Sequence, residues 1–522
     1  MPPRETNIYT ATEAMWRHRT DYGTDRMLIH KYVMNVVSKV VASLMSFVAL
    51  MVMTRYVGDQ YGVMMWGMAF VAFFNAVTDL GFHTANMKFV AEGRDQNACF
   101  STYLTVKLGL VLVMAALSSA FIYASMRDGS VGRDTVLVVI VFIAYYIVQD
   151  IQATLTGMFD GRLESGKSSS VFMIEYVARS FILMALAVMK VSPAVLSLVY
   201  LLGTLISFSL AVYLFRRPRI RLVRPVYIKE YIRFAAPLSF SILLISSLDY
   251  LDKVLVGIYS GSLEVGFYAA SMGIVWAFTS FGGSLNRIML PHLSRIDIGK
   301  NPEEGERAMW TAERYMAMLI LPPVIFLMVL GPEVSTLVFG AGYRQAGVIL
   351  SYHSVMIAAF IFTGMLTQVL YASGRVALYG KAVMAYAVVV ICGYALLIPD
   401  NVLGFQLGGL GGVGAAISLS AGYAFLTVLL AYLIRQKVGI RFYSKFWKHL
   451  ASAAVSLLCL AAFVRYFDAD GILMLLISGA VCLLSYAASS FILGELRRED
   501  VMMMADALNP KKLKESLDEE LK

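Results

Sequence analysis

The fold is decided by residues 249–270, which read DYLDKVLVGIYSGSLEVGFYAA. This stretch places Asp249, Asp252 and Lys253 in the last turns of one apolar run, and a short glycine-containing turn then leads into a second apolar run. A similar arrangement lies about 203 residues earlier, where RYVGDQYG at 55–62 forms a turn between two more apolar runs. The chain is therefore predicted to be an internal duplication, in which each copy contains a helix, a glycine turn and a second helix.

The composition predicts a protein of the lipid bilayer. Hydrophobic residues make up 59% of the 522 residues and charged residues 15%, and the mean hydropathy is +0.69, whereas ordinary soluble domains carry about 25% charged residues. Cys99, Cys392, Cys459 and Cys482 lie far apart in or beside apolar runs, so they predict neither disulfides nor a metal site. The polar, basic residues 1–32 lack the short apolar region of a cleaved signal peptide, and we expect the first span to act as the insertion signal.

Apolar runs that are long enough to cross a membrane recur along the whole chain. A spanning helix needs about 20 mostly apolar residues, and the sequence predicts an all-α integral membrane protein with about fourteen such helices. Pro237, Pro322 and Pro323 fall inside predicted spans, which we expect to be broken or kinked there. The predicted spans are 33–57, 63–87, 100–125, 134–158, 169–190, 192–214, 234–258, 264–289, 315–340, 346–371, 376–398, 411–434, 448–466 and 471–494.

The basic residues predict the orientation, because Lys and Arg concentrate in cytoplasmic loops. Seven of them lie in the connection 216–233, between the sixth and seventh spans. With the N-terminus inside, only six of the 44 basic residues face outward: Arg55, Arg127, Arg133, Lys190, Arg344 and Arg465. The net charge of +9 thus reflects topology, and no nucleic-acid partner is expected. The prediction is a multi-pass protein of the cytoplasmic membrane with both termini in the cytoplasm.

The basic connection also divides the chain into two predicted six-helix halves. The loop motifs LTG, GR and GK within 155–167 recur as LTQ, GR and GK within 366–381. Because an even number of helices separates the copies, the halves are predicted to be parallel repeats with a substrate path between them. The predicted parts are a cytoplasmic segment 1–32, a first half 33–215, a basic linker 216–233, a second half 234–434, two extra helices 435–494 and a cytoplasmic tail 495–522.

Two glycine motifs imitate nucleotide-binding sites. GRLESGKS at 161–168 satisfies G-x-x-x-x-G-K-[ST], and Gly409, Gly411 and Gly414 satisfy G-x-G-x-x-G. Both patterns bind phosphate only where a strand leads into a helix, whereas these motifs lie between predicted spans, so we expect no nucleotide and no other cofactor. Without an HExxH, paired CxxC or G-x-S-x-G motif, the sequence indicates no catalytic residues, no metal site and no enzyme.

Ionisable side chains inside the spans are the candidate functional residues, because each costs about 2.5 to 3.5 kcal/mol at mid-membrane unless it faces a cavity or a partner. Lys39 on the first span and Asp79 on the second both fall in the cytoplasmic third, and we expect them to approach each other across a cavity. Lys39 is alternatively a snorkelling residue near the inner interface. Each belongs to a polar stripe with helical spacing: Asn35, Lys39, Ser43 and Ser46, and Asn75, Asp79, His83 and Asn86.

The seventh span carries three charges in its outer third. Asp249 and Lys253 are spaced i, i+4 and Asp252 lies beside them. Such a pair can simply neutralise itself, but three charges within one and a half turns exceed what a structural contact needs. We therefore predict a role in substrate binding or ion coupling for Asp249, Asp252 and Lys253.

Asp150, Glu175, Arg179 and Arg287 complete the candidate set, and Lys107 is a further in-span charge outside it. Glu175 and Arg179 form another i, i+4 pair at the depth of Asp150, where a structural network and a substrate contact are equally open. Lys107 stands alone in the third span and is expected to snorkel. Arg287, near the inner end of the eighth span, is either a topology anchor or a contact for an entering phosphate.

Internal charge followed by helix, glycine turn and helix resembles the Wzx or polysaccharide-transport flippases of the multidrug/oligosaccharidyl-lipid/polysaccharide (MOP) superfamily. The stretch GGVGAA at 411–416 is also similar to the one that opens the twelfth helix in that family. The resemblance implies a flippase that translocates polyprenyl-linked oligosaccharide by alternating access, for cell-surface polysaccharide or glycoprotein assembly. It implies a central cavity at the first, second, seventh and eighth helices, which carry Lys39, Asp79, Asp249, Lys253 and Arg287.

Two other functions stay open, because the in-span charges have mixed sign. Acidic groups are also candidates for binding a proton or a sodium ion, as in a cation-coupled multidrug extruder of the same superfamily, although the two extra helices and the in-span Lys and Arg argue against it. A membrane-embedded glycan polymerase or glycosyltransferase is disfavoured, because no long outer loop carries His, Asp or Arg clusters. The expected partners are the lipid-linked oligosaccharide, membrane lipid, the coupling ion and proteins of glycan assembly.

Overall fold

The structure is a computed structural model that describes residues 22–129, 131–216, 220–296, 302–467, 471–497, 499–500 and 502. Most of the predicted segment 1–32 and of the tail 495–522, and part of the linker 216–233, lie outside these residues. The side chains of Asn35, Pro237 and Arg287 also lie outside the described part.

Helices account for nearly all of the described chain, as the long apolar runs require, since a backbone in lipid must satisfy its own hydrogen bonds. A small antiparallel hairpin, β1 (Asn401–Val402) and β2 (Phe405–Gln406), connects two of the helices. The described helices are α1 (Tyr22–Tyr56), α2 (Gln60–Asn75), α3 (Phe82–Ala91), α4 (Gln96–Arg127), α5 (Arg133–Gly161), α6 (Ser165–Val188), α7 (Pro193–Phe215), α8 (Ile228–Ser260), α9 (Ser262–Ile296), α10 (Pro302–Phe339), α11 (Arg344–Ala372), α12 (Val376–Leu397), α13 (Gly411–Lys437), α14 (Phe446–Tyr466) and α15 (Ile472–Ile492).

The predicted class, an all-α membrane protein, is confirmed. Twelve helices within the described residues are long and apolar enough to cross a membrane. Every predicted span overlaps a helix, but α8 and α9 are not among those twelve, so the count of about fourteen is not confirmed.

The predicted span 63–87 is not one continuous helix, contrary to the sequence prediction. It consists of α2, a 3-10 turn at Ala76–Thr78 and α3, with Leu80 and Gly81 in the left-handed backbone region. The Asp79 carboxylate stabilises this break, because its Oδ1 accepts a hydrogen bond from the backbone N–H of His83, 3.0 Å away. The break also frees the carbonyl of Thr78 for a contact with another helix.

The prolines of α10 have less effect than predicted. The helix continues through Pro322 and Pro323, and its backbone leaves helical geometry at Leu330 instead. Leu330 lies two residues before Pro332, whose nitrogen cannot donate the i→i−4 hydrogen bond and whose ring crowds the preceding turn of the helix. The distortion therefore falls closer to the end of α10 than the sequence predicted.

Helix packing brings the predicted halves into contact through few elements. In the first half α1 packs on α6, and α5 packs on α2 and α7; in the second half α11 packs on α9, α10 and α13. Between the halves, α2 packs against α8 and α9. One continuous hydrophobic cluster runs from Met53 on α1 to Tyr486 on α15, so a single apolar core includes residues of both halves and of the extra helices.

The last two helices, α14 and α15, are attached to α10 through a polar cluster around Glu495. This residue is 2% exposed. Its Oε2 accepts a hydrogen bond from the Tyr443 hydroxyl at 2.7 Å, and its Oε1 lies 3.3 Å from the Lys448 ammonium. Its backbone carbonyl accepts a hydrogen bond from Nε of Arg314 on α10 at 3.1 Å. Burial, together with the hydrogen bond to Glu495, raises the pKa of Tyr443 to about 12, so its hydroxyl stays a donor.

We predict that Glu495→Gln lowers the stability of the protein by roughly 2 kcal/mol, because Lys448 loses its buried counter-charge and a buried hydrogen bond to a charged group is weakened. The measurement is the melting temperature of the purified full chain in detergent. The matched control is Glu499→Gln, which removes a charge from an exposed side chain nearby. Equal melting temperatures for the two variants would contradict the structural role of Glu495.

Candidate functional site

A cavity of about 420 Å³ lies between the two predicted halves. It is lined by residues of α1, α2, α6, α7, α8, α9, α11, α12 and α13. Its charged lining residues are Arg179, Asp249, Asp252 and Lys253, all of which the sequence proposed as candidates. The volume falls within the range of sites for small ligands, about 300 to 1,000 Å³.

Arg179 on α6 faces this cavity with unused hydrogen-bonding capacity. Its side chain is buried, and its guanidinium lies over the rings of Tyr176 and Tyr200, at 4.2 and 4.7 Å from their centroids. The nearest carboxylate oxygen, Oε1 of Glu175, is 3.8 Å from Nη1, beyond hydrogen-bond distance. Among the described residues none accepts a hydrogen bond from this guanidinium, so a planar, permanently charged donor group is available to an anion.

Lys253 and Asp252 neutralise each other at the cavity wall. The Lys253 ammonium lies 3.1 Å from Oδ1 of Asp252, and the other oxygen of Asp252 accepts a hydrogen bond from the Tyr268 hydroxyl at 2.7 Å. The alternative in which Lys253 neutralises the Asp249 carboxylate is not what the structure shows, since Lys253 donates to the backbone carbonyl of Asp249, at 3.0 Å. No described residue pairs with the Asp249 carboxylate, which stays open to the cavity.

Glu175, the sequence neighbour of Arg179, belongs to a buried hydrogen-bond network between helices. Its carboxylate accepts hydrogen bonds from Gln152 on α5 and from Thr204 and Ser207 on α7, at 3.2 to 3.3 Å. With these three donors, Glu175 remains a satisfied carboxylate at the junction of α5, α6 and α7. Its position favours the structural alternative for this residue and leaves Arg179 as the cavity-facing member of the pair.

A second cavity of about 350 Å³ is lined by Asp79, Lys107 and Asp150 of the first half and by Ser246 and Tyr250 on α8. The Lys107 ammonium lies 2.7 Å from Oδ1 of Asp150 and donates a hydrogen bond to the Thr78 carbonyl at 3.0 Å. The expectation that Lys107 is alone and snorkels is therefore wrong, because the break after α2 supplies a buried acceptor and α5 supplies a carboxylate. Tyr250 lines both cavities.

The remaining candidates lie away from the central cavity or outside the described part. Lys39 is exposed on α1 and lines neither cavity, and no ion pair joins it to Asp79 within the described chain. From the same stripe, Ser46 does line the central cavity. The Arg287 side chain lies outside the described residues, so its predicted role remains untested.

Aromatic side chains form much of the cavity wall, and the sequence analysis did not identify them. Trp276, Tyr386 and Tyr423 line the cavity, and Phe360 connects them. Ring centroids are 4.9 Å apart for Tyr386 and Tyr423, 5.3 Å for Tyr423 and Phe360, and 6.0 Å for Phe360 and Trp276. In a chain with 12% aromatic residues, only the three-dimensional clustering separates these rings from ordinary lipid-facing ones.

The two repeated glycine turns meet at the end of the molecule that the sequence assigns to the outside. A Cβ on Gly62 would lie 1.9 Å from the backbone oxygen of Ser262, and a Cβ on Gly266 would lie 3.1 Å from Cα of Gly62. Only glycine allows this approach of α2 and α9. Two side chains add contacts there: the Tyr343 hydroxyl donates to the Gly58 carbonyl at 2.9 Å, and the Arg55 guanidinium donates to the carbonyls that end α10.

Comparison with protein families identifies the group to which the chain belongs. The sequence profile of the family described as "Polysaccharide biosynthesis protein" matches residues 28–297, more than half of the chain. The chain belongs to this family. The matched region includes Asp79, Arg179, Asp249 and Lys253, and the glycine turns that close one end of the cavity.

Individual proteins agree with that assignment. A relative from Haloferax volcanii, named a probable low-salt glycan biosynthesis flippase, Agl15, is 21% identical over 412 residues, which cover 76% of this chain and 81% of the relative. Among solved structures, the lipid II flippase MurJ in an inward closed conformation is similar with a TM-score of 0.72 at 11% identity, covering 88% of this chain and 98% of MurJ. An inward-facing multidrug resistance MATE transporter of the MOP superfamily has a TM-score of 0.54 at 15% identity, covering 78% and 98%. At these identities the two structures establish the fold alone.

We predict that Gly62→Val opens the outer end of the cavity, because the added side chain collides with the backbone of Ser262. The measurement uses a background in which the four native cysteines are alanine and Met65, a cavity residue, is cysteine. Labelling of intact cells by a membrane-impermeant maleimide should rise severalfold in Gly62→Val.

The control for this prediction is Gly109→Val, because a Cβ on Gly109 meets no atom within 4 Å. This variant introduces the same side chain into a helix of the first half without touching the interface. Unchanged labelling in Gly62→Val, at the level of the Gly109→Val control, would contradict a closing role for the glycine contact.

Proposed function

We propose that the protein is a flippase that translocates polyprenyl-linked oligosaccharide across the cytoplasmic membrane by alternating access. Its product would serve cell-surface polysaccharide or glycoprotein assembly. Membership of the polysaccharide biosynthesis family supports this proposal, as do the relative named as a glycan biosynthesis flippase and the likeness of the fold to a lipid II flippase. Both termini in the cytoplasm and transport from inside to outside are parts of the same proposal.

The proposal depends most on one observation: the Arg179 guanidinium lines the cavity without a hydrogen-bond acceptor among the described residues. The cargo carries phosphate next to its sugars, and a phosphate in a membrane cavity needs charged donors in place of water. Arg179 offers such donors, uncommitted to any described residue, in a cavity between the two predicted halves. The Tyr176 and Tyr200 rings hold the guanidinium plane in place, which lowers the entropic cost of binding phosphate in a bidentate geometry.

Alternating access requires that the cavity be closed at one end in each state. The Gly62 and Gly266 contact, with Arg55 and Tyr343 beside it, supplies such a closure at the predicted outer end. Tyr61 and Val265, the sequence neighbours of the two glycines, belong to the hydrophobic cluster that includes both halves. Alternating access would therefore require a rocking motion that separates these apolar contacts as well as the two turns.

A cation-coupled multidrug extruder is the second candidate function, and one observation favours it. The Asp249 carboxylate is open to a cavity walled by aromatic rings and methionines, an environment that attracts organic cations. Arg179 and Lys253 in the same cavity oppose a cationic substrate, and the relative Agl15 is named a probable flippase. A membrane-embedded polymerase or glycosyltransferase is less favoured, since both solved neighbours are named as a flippase and a transporter.

The proposal predicts that Arg179→Gln lowers surface glycan by about tenfold or more, because hydrogen bonds to a charged group are lost in a desolvated site. The measurement is surface glycan in a strain whose own copy of the gene is deleted and replaced by the variant, at matched protein level. Arg179→Lys keeps the positive charge but loses the planar guanidinium that can bind phosphate through two hydrogen bonds. Its surface glycan should lie between the levels of Arg179→Gln and the wild type.

The control is Arg133→Gln, which removes an exposed arginine at the outer start of α5. It should leave surface glycan at the wild-type level. Wild-type glycan in Arg179→Gln would refute the assignment of Arg179, and unchanged glycan in the deletion strain itself would refute the function.

A further inference from the structure

The central cavity has two uncommitted charged groups of opposite sign on opposite halves. Arg179 on α6 has donors without acceptors, and Asp249 on α8 has a carboxylate that no described residue pairs. The other two charges of the cavity, Asp252 and Lys253, are paired with each other. A ligand that fits this arrangement therefore needs an anionic part for Arg179 and, separately, hydrogen-bond donors for Asp249.

We infer that Asp249 and the aromatic wall on the second half form the subsite for the sugar next to the phosphate, and that this sugar is neutral. The inference rests on the proposed function, since it takes the cargo to be a lipid-linked glycan. Arg179 then holds the phosphate while Asp249 accepts hydrogen bonds from hydroxyl groups of the sugar. The two charged residues would thus orient the headgroup, with its phosphate at Arg179 and its first sugar at Asp249.

The chemistry of Asp249 matches a sugar better than a second phosphate. An ionised carboxylate only accepts hydrogen bonds, and its two oxygens can accept from two neighbouring hydroxyls. It repels phosphate and any sugar carboxylate, because like charges in a desolvated site cost several kcal/mol. Asp249 therefore selects against a uronic acid at this position as well as for a hydroxyl-bearing sugar.

The wall around Asp249 supplies the second part of a sugar site. Tyr386, Tyr423 and Trp276 line the same cavity, and Trp276 is 46% exposed, which leaves its ring surface open. Flat rings of this kind pack against the apolar faces of a sugar ring, while their hydroxyl and N–H groups reach its polar edge. The Lys253 ammonium, held by Asp252, leaves Asp249 free of an internal counter-ion.

The test measures binding of three synthetic lipids to the purified full-length protein in detergent: phytanyl phosphate, phytanyl-phosphate-glucose and phytanyl-phosphate-glucuronic acid. The wild-type protein should bind the glucose lipid about tenfold more tightly than the glucuronic acid lipid, because Asp249 repels the added carboxylate. Asp249→Asn should reduce this ratio to within about threefold, since the amide accepts a hydrogen bond without repulsion. Affinity for bare phytanyl phosphate should not fall in this variant.

Further variants separate this inference from the proposed function. Asp249→Glu keeps the charge and should keep the preference, and Asp134→Asn, an exposed carboxylate at the start of α5, should change nothing. Arg179→Gln should weaken all three lipids alike. An unchanged glucose preference in Asp249→Asn would overturn the sugar subsite while leaving the flippase intact. Failure of the wild-type protein to bind any of the lipids, with Asp249-dependent binding of the cation ethidium, would overturn both.

Discussion

The close approach of two repeated glycine turns is the constraint on which this structure depends. Gly58 and Gly261 adopt left-handed backbone geometry at corresponding positions of the two copies, and each turn reverses a pair of long helices. Gly62 and Gly266, four and five residues further on, then bring α2 and α9 into backbone contact. The copies also meet through side chains, since α2 packs against α8 and α9, and all three helices line the central cavity.

Burial of charge in an apolar environment explains most of the polar architecture. Lys107 forms a buried ion pair with Asp150, and Lys253 forms one with Asp252. Glu175 accepts hydrogen bonds from three hydroxyl and amide donors. The attraction within a buried ion pair is largely offset by the free energy needed to remove both charges from water, so such pairs add little net stability. Arg179 and Asp249 differ, since both face the cavity without a bonded partner among the described residues. A membrane protein that keeps such groups uncommitted has a use for them outside its own fold.

The sequence predicted the class of the fold well, and for clear reasons. Long apolar runs leave no alternative to helices in lipid, and every predicted span overlaps a helix. The break within 63–87 was missed because hydropathy responds to composition, whereas the break depends on a 3-10 turn capped by Asp79. The division into two halves and two extra helices remains a prediction.

The sequence was enough to select the charged residues of the candidate site, but not to predict which of them form ion pairs with each other. In-span charge was enough to select Arg179, Asp249, Asp252 and Lys253, all of which line one cavity. Helical spacing did not identify the pair of Lys253 with Asp252, because it carries no information on side-chain direction within a turn. It also missed Lys107 with Asp150, a contact between two different helices. Aromatic lining residues such as Trp276 carry no sequence signal in a chain rich in lipid-facing rings.

The central claim is that this protein moves a lipid-linked glycan from one leaflet to the other. The most direct test is a deletion strain in which the sidedness of lipid-linked oligosaccharide is probed on spheroplasts with a membrane-impermeant glycan-modifying enzyme. The account predicts complete carrier-linked glycan that accumulates on the cytoplasmic face and resists the enzyme. Normal sidedness, accompanied by altered sensitivity to drugs or cations, would contradict it and would favour the multidrug extruder.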